Sequence, residues 1–236
     1  MATMTTTATV GGGGATAFVG GRGREDGPPD YPTRLRRARL GMSVAVVGIV
    51  MIFVSLTSAY VVRQGLPTLD PNTGQLVHDW FALPLPRLLL VNTLVLLLSS
   101  LTMEFSRRRA AREAALAREE STPGVSFART LPFPWLAYTI VLGLCFLACQ
   151  WLAWRELAAR GFYISTNPSS SFFYLLTGMH GLHLLGGVVA LFVAGGAYVL
   201  RKSLDTRSVI LDVAGWYWHF MAVLWLFIFF LLKFAR

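Results

Sequence analysis

Residues 172–200 read FFYLLTGMHGLHLLGGVVALFVAGGAYVL, a stretch of the chain without a single Asp, Glu, Lys or Arg. A helix of about 20 apolar residues crosses the ~30 Å hydrocarbon layer of a bilayer, so this run by itself points to a membrane protein. Four further runs of the same character accompany it, at residues 40–62, 85–105, 135–157 and 209–232. Lipid cannot satisfy backbone N–H and C=O groups, so a spanning segment is either a helix or a strand of a closed barrel. These runs are continuously apolar and lack the alternation of barrel strands, which leaves helices. The expected fold is all-α, a polytopic bundle of five transmembrane helices. Pro84, Pro86, Pro132 and Pro134 fall at or just before expected helix starts, where a missing N–H is tolerated.

Composition agrees with this reading. Of the 236 residues, 54% are hydrophobic and only 14% charged, against roughly 25% charged in an ordinary soluble domain. Two cysteines exclude a disulfide scaffold and a cysteine-based zinc cluster. Four histidines are few for a protein that holds several haems or metals. The net charge of +9 would suggest nucleic acid in a soluble protein. Here the basic residues flank apolar runs, so they report topology and no nucleic-acid partner is expected.

Residues 1–38 are rich in Gly, Thr and Arg, with four consecutive glycines at 11–14. Such a segment buries too little apolar surface to offset its ordering entropy, so it is expected to be a disordered tail ahead of a membrane domain at 39–236. It has no apolar core of the kind found in a signal peptide. Fifteen of the Lys and Arg residues fall ahead of the first apolar run, Arg39 included, and in the helix 2–3 and helix 4–5 connections, and six on the opposite side. That bias places the N-terminus in the cytoplasm and the C-terminus outside. Residues 107–120 alternate Arg, Ala and Glu and are expected to prolong helix 2 as a solvated extension.

Ionisable groups inside spans are functional candidates. Helix 4 carries His180 and His183, three residues apart on nearly one face, and helix 5 carries His219. Two readings are open for these histidines: haem ligation between helices 4 and 5, and neutral hydrogen bonding between helices. Asp212 lies seven residues before His219 and so shares its face. It is either a carboxylate at a proton or lipid-headgroup site or an acid favoured by the start of helix 5. Glu104 with Arg107 and Arg108 reads as an interfacial salt-bridge cluster. Asn92, Thr93, Ser99, Ser100 and Gln150 are placed to hydrogen-bond between helices, at ~0.6 kcal/mol each. Cys145 and Cys149 read as small packing residues, and Gly186, Ala190 and Ala194 as a stripe that admits a neighbouring helix. There is no phosphate-binding GxxxxGK[ST] loop, no GxSxG, and no cysteine pair with His and Met to hold a dinuclear copper site.

Several strings together carry a family resemblance. The run Ser171-Phe172-Phe173-Tyr174-Leu175-Leu176-Thr177-Gly178-Met179-His180-Gly181-Leu182-His183 strongly resembles subunit III of the haem–copper cytochrome c oxidases. So does Trp216-Tyr217-Trp218-His219-Phe220 followed by Trp225. Asn92-Thr93-Leu94, Ser99-Ser100, Gly41-Met42, Ser58-Ala59-Tyr60 and Gln150 are similar too. The likeness extends over nearly all the chain outside the tail.

The resemblance implies a five-helix bacterial form of that fold, in the cytoplasmic (inner) membrane. It implies a subunit with no catalytic centre, metal or cofactor of its own. Haem and copper would reside in partner subunits, with direct contact to subunit I and association with subunit II. Family members also hold phospholipid between helices, support proton uptake and lasting activity, and are linked to oxygen access. On this reading Arg201 and Lys202 would meet a lipid headgroup, and Asp212, His180, His183 and His219 would serve proton supply or structure. Two carboxylates common in the family are replaced here, by Ile49 in helix 1 and Ala222 in helix 5, while its acid at Asp212 is kept. Alternatives are the third subunit of a quinol oxidase, a subunit-III-like protein of a nitric oxide reductase, and a small membrane carrier of haem b.

Overall fold

Each of the five apolar runs gives one continuous helix, and each helix is longer than the run that predicts it. They are α1 (Tyr31–Gly65), α2 (Leu88–Glu119), α3 (Phe133–Ala159), α4 (Pro168–Val199) and α5 (Leu204–Phe234). The structure is a computed structural model and describes residues 31–69, 74–77, 80, 86–119 and 133–234. With 27 to 35 residues each, the helices reach ~40–53 Å at ~1.5 Å per residue, more than the hydrocarbon layer requires. Between α1 and α2 the two-residue strands β1 (Thr68–Leu69) and β2 (Leu76–Val77) pair antiparallel, Thr68 opposite Val77.

Two helix boundaries differ from the expectation, and both have a local cause. α1 begins at Tyr31, so residues 31–38 of the expected tail are helical; residues 1–30 lie outside the described residues. The segment 31–39 contains no glycine, and four of its nine residues are Arg, which suits a helix. It also finds partners on α5: Arg34 Nη2 donates to Thr206 Oγ1 (3.1 Å), and Ser208 Oγ donates to the Tyr31 hydroxyl (3.3 Å). α5 begins at Leu204, directly after Ser203 and with Asp205 in its first turn, residue types that favour a helix start. Asp212 therefore lies two turns inside the helix, and the helix-start reading of this residue does not hold.

The α4–α5 turn closes on Arg201. Its φ of 48° is left-handed, a conformation that favours glycine at this position. Lys202 N donates to Ala197 O and Arg201 N to Tyr198 O, each at 3.1 Å, which satisfies the last carbonyls of α4. α2 continues past the apolar run to Glu119, as expected. Its extension is not solvated all round, because Ala110 and Ala114 are buried and the Arg109 guanidinium lies 5.4 Å from the centre of the Trp135 ring on α3.

Helices α2, α3, α4 and α5 form a ring in which each packs on two neighbours, and α1 leans on the outside against α5 and α4. Of α1 only Ile49, Phe53 and Tyr60 are buried, a stripe about one residue wide. The ring closes around Trp218 of α5, which is fully buried. Its Nε1 donates to Ser99 Oγ on α2 (3.1 Å), and Ser99 Oγ donates to Thr139 O on α3 (3.2 Å). The indole rests against glycines on the other two helices. A Cβ at Gly143 of α3 would lie 2.7 Å from its Cη2, and one at Gly187 of α4 would lie 3.2 Å from its Cζ3. The close approach on α4 is thus at Gly187 and not at Gly186, which is exposed and meets nothing within 4 Å. Ala194 of the expected stripe is buried and Ala190 only partly. Cys145 is exposed and Cys149 half-buried, so neither lies in the core of the bundle.

This geometry orders three substitutions. Gly143→Ala should lower stability by ~1–3 kcal/mol through overpacking, because the indole has no direction in which to move. Gly187→Ala should cost less and Gly186→Ala close to nothing. Thermal unfolding of the detergent-solubilised variants checks the order, and an unchanged midpoint for Gly143→Ala would contradict the packing described.

Candidate functional site

At the end of the bundle that holds the N-termini of α1 and α5, charged residues from three helices meet. Ser100, Glu104, Arg107 and Arg108 lie on one side of α2, because they are spaced by four, three and one residues. Asp212 and His219 lie on one side of α5, two turns apart. Arg39 comes from α1. Asp212 accepts from both neighbours: Arg39 Nε to Oδ2 at 2.8 Å, Arg39 Nη2 to Oδ1 at 3.1 Å, and Arg107 Nη1 to Oδ1 at 3.1 Å. Arg107 also donates to Glu104, Nε to Oε2 at 2.9 Å and Nη2 to Oε1 at 3.0 Å. Arg108 Nε donates to Glu104 Oε1 at 2.6 Å. The chain of contacts ends on His219, whose Nε2 is 3.3 Å from Glu104 Oε2 and whose Nδ1 is 2.6 Å from Ser100 Oγ.

The consequence is mechanical before it is chemical. Besides its thin apolar stripe and the Arg34–Thr206 and Tyr31–Ser208 hydrogen bonds, α1 is tied to the bundle through Asp212, and Asp212 is tied to α2 through Arg107. The Asp212 side chain is 12% exposed, whereas that of Arg39 is 47% exposed, so water weakens the outer half of the clamp. Gly215, one turn beyond Asp212 on α5, lets the Arg107 stem pass: a Cβ there would lie 3.0 Å from Arg107 Cδ.

Beside the cluster a cleft of about 820 Å³ opens between α1 and α5. Its walls are Met42, Val46 and Val47 of α1 and Trp216, Phe220 and Val223 of α5, and Arg39, Arg107 and His219 form its polar lining. An apolar slot with guanidinium groups at one end suits an amphiphile with an anionic head.

The residues singled out from the sequence are distributed as follows. Asp212 and His219 do belong to one network, connected through Arg107 and Glu104. His183 lies elsewhere: its Nδ1 is 2.7 Å from Met179 O and its ring centre 5.8 Å from that of Phe53 on α1. His180 is fully buried between Phe146 and Trp225, with ring centres at 5.9 and 5.1 Å. His183 faces α1 and His219 faces α2, so the structure does not bring them together as a ligand pair. Among the described residues no group of three or more His, Cys, Asp or Glu side chains converges as a metal site would require. Arg201 and Lys202 are exposed in the α4–α5 turn and do not line the cleft. Ile49 is one of the three buried residues of α1.

Sequence reasoning missed Arg39. It is one of six arginines ahead of the first apolar run with nothing to distinguish it, and its role depends on where α5 passes. Glu104 was read only with its own-helix arginines, and its contact to His219 depends on the α2–α5 register.

With this architecture in place, the protein is a multi-pass helical membrane protein whose outermost helix is held by an intramembrane-end ion cluster. Comparison with known proteins makes the class specific. Residues 33–235 match the family model of cytochrome c oxidase subunit III, and the chain belongs to that family. It is 31% identical over 196 residues to the "Cytochrome c oxidase subunit 3" of Branchiostoma lanceolatum, a match covering 81% of this chain and 66% of that one. The protein of the same name from Triticum aestivum matches at 31% over 196 residues, with the same two shares. A "Probable cytochrome c oxidase subunit 3" of Mycobacterium tuberculosis is 35% identical over 105 residues, covering 43% of this chain and 50% of that one. The matched region is thus about 66% of the animal and plant relatives' length.

The clamp leads to a second prediction. Asp212→Asn should lower stability by ~1–2 kcal/mol, the range for hydrogen bonds to charged groups after allowance for exposure. Arg39→Gln should cost less, and the double variant should cost less than the two losses combined, since one contact is removed in both. Additive losses in a double-mutant cycle of thermal unfolding would show that the Arg39–Asp212 contact is not formed.

Proposed function

We propose that this chain is the third subunit of a respiratory haem–copper terminal oxidase, in a complex that passes electrons from cytochrome c to oxygen and translocates protons. It sits in the bacterial cytoplasmic membrane with its N-terminus in the cytoplasm. It carries no redox centre, docks on subunit I alongside subunit II, and supports the stability of the catalytic core. The family match across residues 33–235 carries this reading. The mycobacterial relatives support a bacterial setting.

The cleft between α1 and α5 supports a phospholipid role. Its apolar walls fit acyl chains, and Arg39 and Arg107 stand where an anionic headgroup would meet the cytoplasmic interface. A basic residue near anionic headgroups contributes ~1 kcal/mol. The headgroup position is therefore assigned to Arg39 and Arg107 rather than to Arg201 and Lys202. Asp212 takes the part of a clamp, because both of its oxygens already accept from guanidinium groups. The pair of His219 and Glu104 is the better placed of the polar groups for exchanging protons with the cleft, since His219 lines it.

The test is mass spectrometry of the intact complex extracted in mild detergent. A haem- and copper-bearing oxidase partner and a retained anionic phospholipid are the expected companions. Arg39→Gln combined with Arg107→Gln should lower lipid retention several-fold while the partner subunits remain. A nitric-oxide-reducing partner would overturn the oxidase reading, and a Soret band in the purified chain would favour the haem carrier. Oxygen consumption across pH separates the two roles of Asp212. As a clamp, Asp212→Asn leaves the ratio of mutant to parent rates constant. If Asp212 captures protons, that ratio falls as pH rises, because capture limits turnover when protons are scarce.

A further inference from the structure

The Trp218 layer has a counterpart two turns along the bundle, and its chemistry is different. Seven residues span two helical turns, about 10.5 Å, and return to the same face. Counting seven positions from Ser99, Gly143, Gly187 and Trp218, each along its own helix in the same spatial direction, reaches Asn92, Gln150, His180 and Trp225. Contacts confirm that these four residues share a cross-section. Asn92 Nδ2 donates to Gln150 Oε1 at 3.0 Å. Trp225 Nε1 donates to Thr93 Oγ1, beside Asn92, at 3.0 Å. The His180 and Trp225 ring centres are 5.1 Å apart, and Phe146, one turn from Gln150, packs against both rings. On the next turn of α3, Trp154 Nε1 donates to Thr177 Oγ1 on α4 at 3.1 Å, which holds the α3–α4 register.

In the Trp218 layer the indole N–H, the Ser99 hydroxyl and the glycine faces account for one another. In the second layer the polar groups do not. Asn92 and His180 are 0% exposed and Gln150 is 2% exposed. Yet Asn92 Oδ1, Gln150 Nε2 and both ring nitrogens of His180 have no hydrogen-bond partner among the described residues. Three helices thus bring four unpaired polar atoms to one level of a bundle whose surroundings are lipid. A buried polar group without a partner is costly, and native interiors pair such groups with protein or with ordered water.

We propose that the Asn92–Gln150–His180 layer is a binding site for an ordered internal water molecule that joins α2, α3 and α4. The chemistry of the donor set matches. Asn92 Oδ1 only accepts, Gln150 Nε2 only donates, and a neutral imidazole offers one nitrogen of each kind. A water that donates to Asn92 Oδ1 and to the unprotonated His180 nitrogen, and accepts from Gln150, makes three hydrogen bonds, the usual number for a buried water. The second His180 nitrogen is left to the Phe146 and Trp225 rings that flank it, an N–H to aromatic contact. The site explains why a histidine is tolerated in a fully enclosed position, and it does not depend on which complex the chain joins.

Two measurements test it on the assembled membrane complex. The first is a density map at about 2 Å, where a peak at hydrogen-bond distance from Asn92, Gln150 and His180 is expected. A map showing those side chains well ordered with no peak between them overturns the proposal. The second is a mutant cycle on Gln150→Leu and His180→Phe, read as the thermal midpoint of the complex. Each single change strands the water's remaining partners and should lower the midpoint by about 2–4 °C. The double variant should lose clearly less than the two combined. Additive losses, or a midpoint raised by His180→Phe alone, would mean a dry layer and would falsify the assignment.

Discussion

A fully buried indole can sit at the meeting point of four helices only if two of them offer no side chain and a third offers a hydrogen-bond acceptor. Trp218 has these conditions from Gly143, Gly187 and Ser99. In lipid, apolar residues gain nothing by leaving one apolar solvent for another, so helices associate through close packing and hydrogen bonds. The Trp218 contact provides both at once, from α5 to α2, α3 and α4. The register that it imposes brings Trp225 to Thr93, Asn92 to Gln150 and Arg107 to Asp212. The polar groups that do pair across the bundle meet because the indole has aligned their helices.

α1 obeys a different rule. It has no large share in the packed ring, and most of its apolar side chains face outward. Its N-terminal half is attached through the Arg39–Asp212 ion pair and the Arg34–Thr206 and Tyr31–Ser208 hydrogen bonds, and its other end rests on aromatic contacts among Tyr60, Trp80 and Phe172. Between the two attachments the helix stands off from α5 and leaves a cleft. A helix pinned at both ends and open beside α5 is suited to hold an amphiphile against the bundle. Ile49 fits this arrangement, since an apolar residue there continues the buried stripe that α1 presents to the ring.

Much of the architecture was legible in the chain. Five runs long enough to span, prolines near helix starts and interhelical partners such as Asn92, Ser99 and Gln150 were read from residue type and spacing alone. These features are local or periodic. The boundaries of α1 and α5 were harder, because Tyr31 and Arg34 are helical in company with Thr206 and Ser208, residues about 170 positions away. Gly186 and Gly187 could not be told apart by pattern, since adjacent residues on a helix differ by only ~100° and the facing indole decides which matters.

By itself, then, the sequence determined that this protein spans a membrane as five helices and that it resembles oxidase subunit III, because hydrophobic length and ordered motifs are properties of a linear string. Tertiary structure alone decided which of the arginines ahead of the first apolar run meets Asp212, that Glu104 faces His219, and that His180 shares a layer with Asn92 and Gln150. Those pairings join residues on helices distant in the chain, and they exist only once helix rotation and register are fixed. In a bilayer, rotation and register are set by a few steric and hydrogen-bonding contacts rather than by a hydrophobic face, so composition leaves no trace of them.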